Sequence, residues 1–303
     1  MPQQHAELDR VAVITMVVMC AILGMQNVVV KIGNEGISPI WQSGLRSLGA
    51  TVLVWAWAKL RGIRLWEADG SLWPGMLAGV LFAAEFGLIF SALLYTDASR
   101  GVIFLYTAPF FVALGALWLL PNERMRRAQW TGMALAFGGV LLLFGDNLLR
   151  PVGRAWIGDL MMLVAALFWA ATTLTVKATA MARIAPEKTL IYQLGISALV
   201  LPLLSLAFGE RGVFAPSALV WASLFYQTVV VATGAYLAWF WLIRRYPATR
   251  ISSFSFLTPV MGVLAGILFL GEPLTFTIVV AMGLVGAGIW VANRVEGRAG
   301  RSR

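Results

Sequence analysis

Charged side chains are scarce in this sequence. Asp, Glu, Lys and Arg make up 12% of its 303 residues, while hydrophobic residues make up 60%. A soluble globular domain usually carries about 25% charged residues, so too little polar surface is present here to cover a water-soluble particle. The composition excludes an ordinary soluble domain and predicts an integral membrane protein.

Residue types that commonly carry catalysis or bind metals are also rare. The sequence has one cysteine, Cys20, inside an apolar run, and one histidine, His5, in the polar N-terminal tail. A single cysteine excludes an intrachain disulfide, and no cluster of His, Asp and Glu is available for a metal. A Walker-type loop for ATP phosphates is absent as well. We therefore expect no enzyme, no metal and no cofactor, which leaves a transporter or a structural, receptor-like membrane protein.

Long apolar runs take the place of the missing charge. A helix that crosses a hydrocarbon core about 30 Å thick needs roughly 20 residues, and runs of that length recur along the chain. The first run, residues 11–30, is too long for a cleavable signal peptide, so we interpret it as a spanning helix. The predicted fold class is an all-α integral membrane protein with ten transmembrane helices. The predicted spans are 11–31, 40–60, 72–95, 99–120, 128–146, 156–178, 187–209, 217–243, 249–270 and 274–293.

The distribution of positive charge predicts the orientation. With the N-terminus in the cytoplasm, 17 of the 23 Lys and Arg residues fall in cytoplasmic segments, five fall in external segments, and Arg46 lies within predicted helix 2. Cytoplasmic loops of membrane proteins carry an excess of Lys and Arg. The bias therefore predicts that both termini lie in the cytoplasm. It also accounts for the net charge of +9 without a nucleic-acid partner, which we do not expect.

An internal repeat runs through the chain. Residues 105–109 read LYTAP and residues 255–259 read SFLTP, and Arg100 before the first segment matches Arg250 before the second. These matches predict two five-helix halves, residues 1–150 and residues 151–303, the second with a basic C-terminal tail. Because five is odd, the second copy enters the membrane from the opposite side. Such an inverted repeat places a substrate site near the midplane between the halves.

Motif residues in both halves carry a family resemblance. They are Gly24, Asn27, Lys31, Arg46, Pro109, Trp169, Lys177, Pro259 and the Gly271-Glu272 turn. In these motifs the chain resembles the drug/metabolite transporter superfamily, in its ten-helix branch with two EamA-type domains. Residues 84–87 (AEFG), 95–99 (YTDAS) and 104–109 (FLYTAP) look most like the inner-membrane aromatic amino acid exporters. The resemblance implies export of amino acids and related small metabolites across a bacterial inner membrane.

The two mid-helix prolines are candidate hinges. Pro109 and Pro259 each remove a helix hydrogen bond and free the carbonyl four residues earlier, at Leu105 and Ser255. Lipid does not satisfy such a carbonyl, so that side of the helix should face protein or a water-filled cavity. We expect a bend at each proline, either as a moving hinge or as a static kink.

Two ionisable residues lie inside predicted spans. Glu85 in predicted helix 3 is a candidate for binding a substrate ammonium or a proton, because buried charge in a membrane is costly and usually functional. The alternative is a structural pair with Arg46 or a protonated acid. Arg46 itself could bind a substrate carboxylate, or its long side chain could extend to the membrane interface.

Polar and aromatic residues deep in the spans suggest a path for an amphipathic substrate. Aromatic rings beside a few hydrogen-bonding groups suit such a molecule, although many of these rings could equally be core residues. The resemblance implies a path lined mainly by predicted helices 1, 3, 4, 6, 8 and 9. The path residues are Gln26, Phe82, Glu85, Phe86, Tyr106, Trp169, Thr173, Tyr236, Trp239 and Ser255. The tryptophans near span ends are interpreted as interface anchors: Trp66, Trp73, Trp118, Trp130, Trp156 and Trp221.

The sequence as a whole predicts a secondary transporter or facilitator. We expect it to export amino acids, with aromatic and other apolar ones favoured, by alternating access across a bacterial inner membrane. The partners would be a small-molecule substrate and the lipid bilayer, with the chain acting as a monomer. Export of aromatic or cationic drugs is the alternative within the same class.

Overall fold

The structure is a computed structural model that describes residues 8–120, 125–149, 153–270 and 274–294. Within these ranges the chain forms fourteen α-helices, a 3-10 turn at Ala180–Arg183 and a π-helical segment at Tyr226–Ala235, with no strand. The all-α fold class is confirmed for this part of the chain. The α-helices are α1 Arg10–Gly24, α2 Gln26–Asn34, α3 Pro39–Leu60, α4 Leu72–Ala92, α5 Ala98–Leu105, α6 Ala108–Leu119, α7 Arg127–Leu149, α8 Ala155–Ala178, α9 Pro186–Ala207, α10 Ala218–Phe225, α11 Tyr236–Arg245, α12 Ala248–Phe254, α13 Leu257–Leu270 and α14 Phe276–Arg294.

Eight segments of the described chain are long and apolar enough to cross a membrane. Three of them join neighbouring helices: α1 with α2, α5 with α6, and α10 through the π-helical segment with α11. Two predicted spans correspond to α3 and to α12 with α13, which are not among the eight. The protein is therefore a multi-pass membrane protein, while the count of ten spans stays a prediction. The eight segments are Arg10–Asn34, Leu72–Ala92, Ala98–Leu119, Arg127–Gly145, Ala155–Ala178, Pro186–Ala207, Ala218–Arg245 and Phe276–Asn293.

Large apolar side chains remain exposed on the outer surface of the bundle. Five of the six tryptophans predicted as interface anchors are exposed, with Trp118 at 80%, whereas Trp130 packs partly against the core. In water this would be an unusually large apolar surface. Lipid tails solvate such rings and aliphatic chains, so the outer surface suits a bilayer.

Close helix pairs hold the bundle together. α7 packs along α14, α3 along α9, and α4 against both α8 and α9. Gly132 and Gly288 let α7 and α14 touch backbone to backbone, because a Cβ at position 288 would lie 2.4 Å from the Ala136 amide nitrogen. α1 meets α13 in the same way at Gly24 and Gly262. Small residues at these crossings increase van der Waals contact, which drives helix association in membranes.

Two helices are interrupted beside the predicted hinge prolines. α5 ends just before α6, whose first turn contains Pro109, and α12 ends just before α13, whose first turn contains Pro259. The prediction that the Ser255 carbonyl is free is wrong, because this carbonyl accepts a hydrogen bond from the Thr258 amide at 2.9 Å. A tight turn satisfies this group locally. The interruptions lie beside the predicted bends, and bending or hinge motion at them stays a prediction.

Basic side chains connect helices at both ends of the bundle. At the end where α2 and α4 finish, Lys31 pairs with Asp97 at 3.0 Å in an exposed ion pair. At the opposite end, the buried Lys177 ammonium donates hydrogen bonds to the backbone carbonyls of Ile243 and Tyr246, each at 2.7 Å. Lys177 thereby links the end of α8 to the end of α11.

Candidate functional site

A cavity lies inside the bundle, lined by α1, α2, α4, α5, α8, α11 and α13 and by Ser255 directly after α12. These helices belong to predicted helices 1, 3, 4, 6, 8 and 9, the set that the family resemblance implies for the path. The structure brings all ten predicted path residues to its wall, although their role in transport stays a prediction. Of the two hinge prolines, Pro259 lines the cavity, whereas Pro109 is buried beside it on α6.

Several lining residues were missed in the sequence because they carry no distinctive chemistry. Met19 and Leu23 precede Gln26 on one helical stripe, and Ile89 follows Phe82 and Glu85 on another. The signal that could have found them is helical periodicity, since residues three, four or seven positions apart share a face. The other missed residues are Val102, Leu105, Phe240 and Thr258. Gly24 and Asn27 were identified in the sequence as motif residues only, and Thr172 as the alternative to Thr173.

One part of the wall is a chain of three aromatic rings. Tyr106, the residue directly after α5, meets Trp169 on α8 edge to face, with ring centroids 6.0 Å apart. Trp169 also contacts Trp239 on α11, at 6.1 Å between centroids. The three helices thus present aromatic surface to the same space, which suits a flat apolar group on a ligand.

The cavity wall has few polar groups, and some of them make no hydrogen bond within the described chain. Glu85 is buried, with 5% of its surface exposed, and is the acidic residue among the described lining residues. Both amide atoms of Gln26 and the hydroxyl of Thr172 make no hydrogen bond within the described chain. Ser255 is different, because its hydroxyl donates to the Ser252 carbonyl at 2.6 Å. Buried polar atoms without partners need water or a ligand, so Gln26 and Thr172 are candidates for contacts with a bound molecule.

Arg46 does not extend to the membrane interface, so this one of its two predicted alternatives is wrong. The residue is fully buried on α3, and its guanidinium carbon lies 4.0 Å from the Phe86 ring centroid. Because α3 is packed against α9 and α4, the side chain points into the bundle. The rings of Phe82 and Tyr236 each lie 6.0 Å from the same carbon.

Glu85, the predicted partner of Arg46, forms no ion pair with it in the described chain, although the two charges are close enough to interact electrostatically. No carboxylate oxygen in the described chain lies within 4.0 Å of the Arg46 guanidinium, and all three of its nitrogens are buried without a hydrogen bond. Arg46 is not among the lining residues of the cavity. It lies behind Phe82, Phe86 and Tyr236, which do line the cavity.

Comparison with known proteins identifies the class of molecule. The model of the EamA-like transporter family matches this chain twice, over residues 10–145 and 156–294. The chain is 27% identical to the uncharacterized transporter YoaV of Bacillus subtilis, over 89% of this chain and 92% of that protein. It is 25% identical to the uncharacterized inner membrane transporter YedA of Escherichia coli (strain K12), over 87% and 84% of the two chains.

Two further similarities concern a named activity and the fold. The chain is 29% identical to a probable amino-acid metabolite efflux pump of Salmonella typhimurium, over 88% of this chain and 90% of that protein. A crystal structure of a protein with 18% sequence identity superposes with a TM-score of 0.80, covering 95% of this chain and 99% of the other. Because the family model covers almost all of the sequence, the chain belongs to the EamA-like transporter family.

Proposed function

We propose that this protein is a secondary transporter or facilitator that exports amino acids and related small metabolites across a bacterial inner membrane. Aromatic and other apolar amino acids are the favoured substrates. The single observation that carries the proposal is the central cavity, whose wall contains aromatic rings from three helices beside Glu85 and the unused polar atoms of Gln26. An amphipathic zwitterion needs both kinds of surface.

The architecture that we propose for this function is a ten-span inverted repeat with both termini in the cytoplasm. The halves are residues 1–150 and residues 151–303. Support comes from the two separate family matches, one in each half. The pairs α3 with α9 and α7 with α14 also join like-numbered predicted helices of the two halves. In this arrangement a central cavity can open to either side in turn, with Pro109 and Pro259 as hinges.

Export of aromatic or cationic drugs is the second candidate. Glu85 favours it, because an acidic side chain in an aromatic cavity attracts organic cations. The name of the Salmonella typhimurium relative, a probable amino-acid metabolite efflux pump, supports amino acids instead. The two candidate functions predict different competitors: a drug exporter should be inhibited by organic cations, whereas an amino-acid exporter should be inhibited by other amino acids.

The test is transport by the purified protein in liposomes loaded with a panel of labelled amino acids, with and without a pH gradient. We expect exchange of aromatic amino acids, and an aromatic quaternary ammonium cation as competitor distinguishes the drug candidate. Trp169→Ala and Tyr106→Ala should each reduce aromatic substrate affinity by roughly 2- to 10-fold, because an aromatic pair contributes about 0.5–1.5 kcal/mol.

Trp118→Ala and Trp221→Ala are the matched controls, since both rings are exposed on the outer surface. They should alter insertion or thermal stability and leave substrate affinity unchanged. Equal effects of all four substitutions on affinity would contradict the assignment of Trp169 and Tyr106 to the path. Absence of amino-acid exchange by the wild-type protein would overturn the proposed function.

A further inference from the structure

Arg46 is a buried cation with no acceptor at hydrogen-bond distance in the part of the chain that the structure describes. Its guanidinium carries five N–H donors in a planar fork, yet none of its three nitrogens makes a hydrogen bond within the described chain. Contact with the Phe86 ring at 4.0 Å and the Phe90 ring at 5.2 Å offsets only part of the cost of removing this charge from water. A group of this kind should have an acceptor in some state of the protein.

The surroundings of Arg46 are built to keep its donors free. The hydroxyl of Ser43, one turn earlier on α3, is also buried and makes no hydrogen bond among the described residues. Aromatic faces from α4 and α11 surround the guanidinium, and no carboxylate neutralises it at ion-pair distance in the described chain. A structural arginine in a membrane protein normally pairs with an acid or a backbone carbonyl. This one lies against aromatic rings, and Tyr236 and Glu85 are close enough to interact with its charge electrostatically.

The guanidinium is separated from the central cavity by one layer of rings. Phe82, Phe86 and Tyr236 line the cavity, and the same three rings lie 4.0–6.0 Å from the Arg46 guanidinium carbon. Glu85, next to Phe86 on α4, lines the cavity as well. A rotation of the Phe86 side chain would therefore bring an unpaired cation into a wall that already carries an acid.

We propose that Arg46 is the carboxylate subsite of the transporter, and that the Phe86 ring covers it when no substrate is bound. Arginine holds a carboxylate through two parallel N–H donors, a geometry that lysine lacks. With Glu85 available for the ammonium group, the site recognises both charged groups of a free α-amino acid and leaves the aromatic wall for its side chain. This inference rests on the proposed function and narrows the substrate class to zwitterionic amino acids.

The test is equilibrium binding to the purified full-length protein in nanodiscs, with three ligands that share an indole ring. Tryptophan carries both charged groups, tryptamine lacks the carboxylate, and indole-3-propionate lacks the ammonium. The wild-type protein should bind tryptophan at least about tenfold more tightly than tryptamine, since a charge-assisted bidentate contact is lost. Arg46→Gln should weaken tryptophan binding by about the same factor and should not weaken tryptamine binding, because tryptamine has no carboxylate and its ammonium is repelled by the arginine.

Arg46→Lys and Arg64→Gln complete the design. Arg46→Lys keeps the charge, and therefore the fold, but loses the planar fork, so tryptophan should bind more weakly than to wild type and more tightly than to Arg46→Gln. Arg64 is exposed and pairs with Glu67, so Arg64→Gln should change nothing. Tryptamine binding serves as the folding readout for every variant.

Each outcome has a defined meaning. Equal wild-type affinity for tryptophan and tryptamine overturns the carboxylate subsite while leaving amino-acid transport intact. Loss of tryptamine and tryptophan binding together in both Arg46 variants assigns Arg46 a purely structural role, which also overturns it. Failure of the wild-type protein to bind or exchange any amino acid refutes the proposed function itself.

Discussion

At the scale of the residue, environment separates side chains of the same type. Trp239 lines the cavity and is 8% exposed, whereas Trp118 lies on the outer surface. Arg46 is buried against aromatic rings, whereas Arg64 extends into solvent beside Glu67. Depth in a span predicted which tryptophans line the cavity, but it did not predict the direction of Arg46.

The most clearly shifted acid outside the spans is Asp69, between α3 and α4. The Lys188 ammonium donates to its carboxylate at 2.8 Å, and the Ser71 hydroxyl donates at 2.6 Å. These hydrogen bonds, chiefly the one from Lys188, lower the pKa of Asp69 to about 2. Because its pKa is lower in the folded protein, the ionised Asp69 carboxylate stabilises the fold at pH values above its unfolded pKa of roughly 4. This stabilisation is lost as the pH falls towards 2 and the carboxylate is protonated.

We predict that Asp69→Asn lowers the unfolding temperature at pH 6 and flattens its decline between about pH 4 and pH 2. The measurement is thermal unfolding in detergent across this range. Glu67→Gln is the control, because the Arg64–Glu67 pair is exposed and such pairs contribute little. An Asp69→Asn profile parallel to wild type would show that this ion pair does not link α9 to the α3–α4 loop energetically.

At the scale of the element, the distance between two helix backbones determines which positions must be glycine. α14 contains Gly286 and Gly288, which face different surroundings. A Cβ at position 288 would lie 2.5 Å from the Gly132 carbonyl oxygen, whereas a Cβ at position 286 would meet nothing within 4 Å. One glycine is therefore required by the α7–α14 contact and the other is not.

We predict that Gly288→Ala destabilises the protein by about 1–3 kcal/mol, the usual cost of overpacking, because the contact is with backbone that has little freedom to move. Gly286→Ala should be neutral or slightly stabilising, since alanine favours a helix. Thermal unfolding and the yield of monodisperse protein measure both variants. The α7–α14 contact is refuted if the two alanines lower stability equally.

At the scale of the whole molecule, the proposed arrangement of the halves predicts from which side of the membrane each loop is reached. An inverted repeat with both termini in the cytoplasm places the α3–α4 loop inside and the α9–α10 loop outside. Ala68 lies in the first loop and Ala218 begins α10 after the second, and both residues are exposed. Cys20 is buried, so background labelling should be low.

We predict that a membrane-impermeant maleimide labels Ala218→Cys in intact cells and labels Ala68→Cys only after the membrane is opened. The physical basis is the excess of Lys and Arg in the segments assigned to the cytoplasm. Mass shift of the purified protein after labelling provides the measurement. Labelling of Ala68→Cys but not Ala218→Cys in intact cells would contradict the predicted orientation. Labelling of both variants in intact cells would contradict the prediction that an odd number of spans separates residues 68 and 218.

Much of the fold and the wall chemistry could be predicted because both depend on local properties of the chain. Run length alone predicted helices such as α4 and α8 to within a few residues, since a bilayer demands a fixed apolar length. Polar and aromatic residues in mid-span, such as Gln26 and Tyr236, were predicted to meet at one cavity, and they do. A polar group in lipid is costly, so its position in the sequence already restricts where it points.

The sequence by itself therefore determined the membrane class, the helical fold and the chemical character of the cavity. Only the tertiary structure decided which faces meet: that Phe82, Phe86 and Tyr236 cover Arg46, that Lys177 binds two carbonyls at the end of α11, and that the Ser255 carbonyl is satisfied by a tight turn. Each of these depends on the packing of helices or on local turn geometry. Hydrophobic run length contains no information on such contacts, because most segments are apolar on every face.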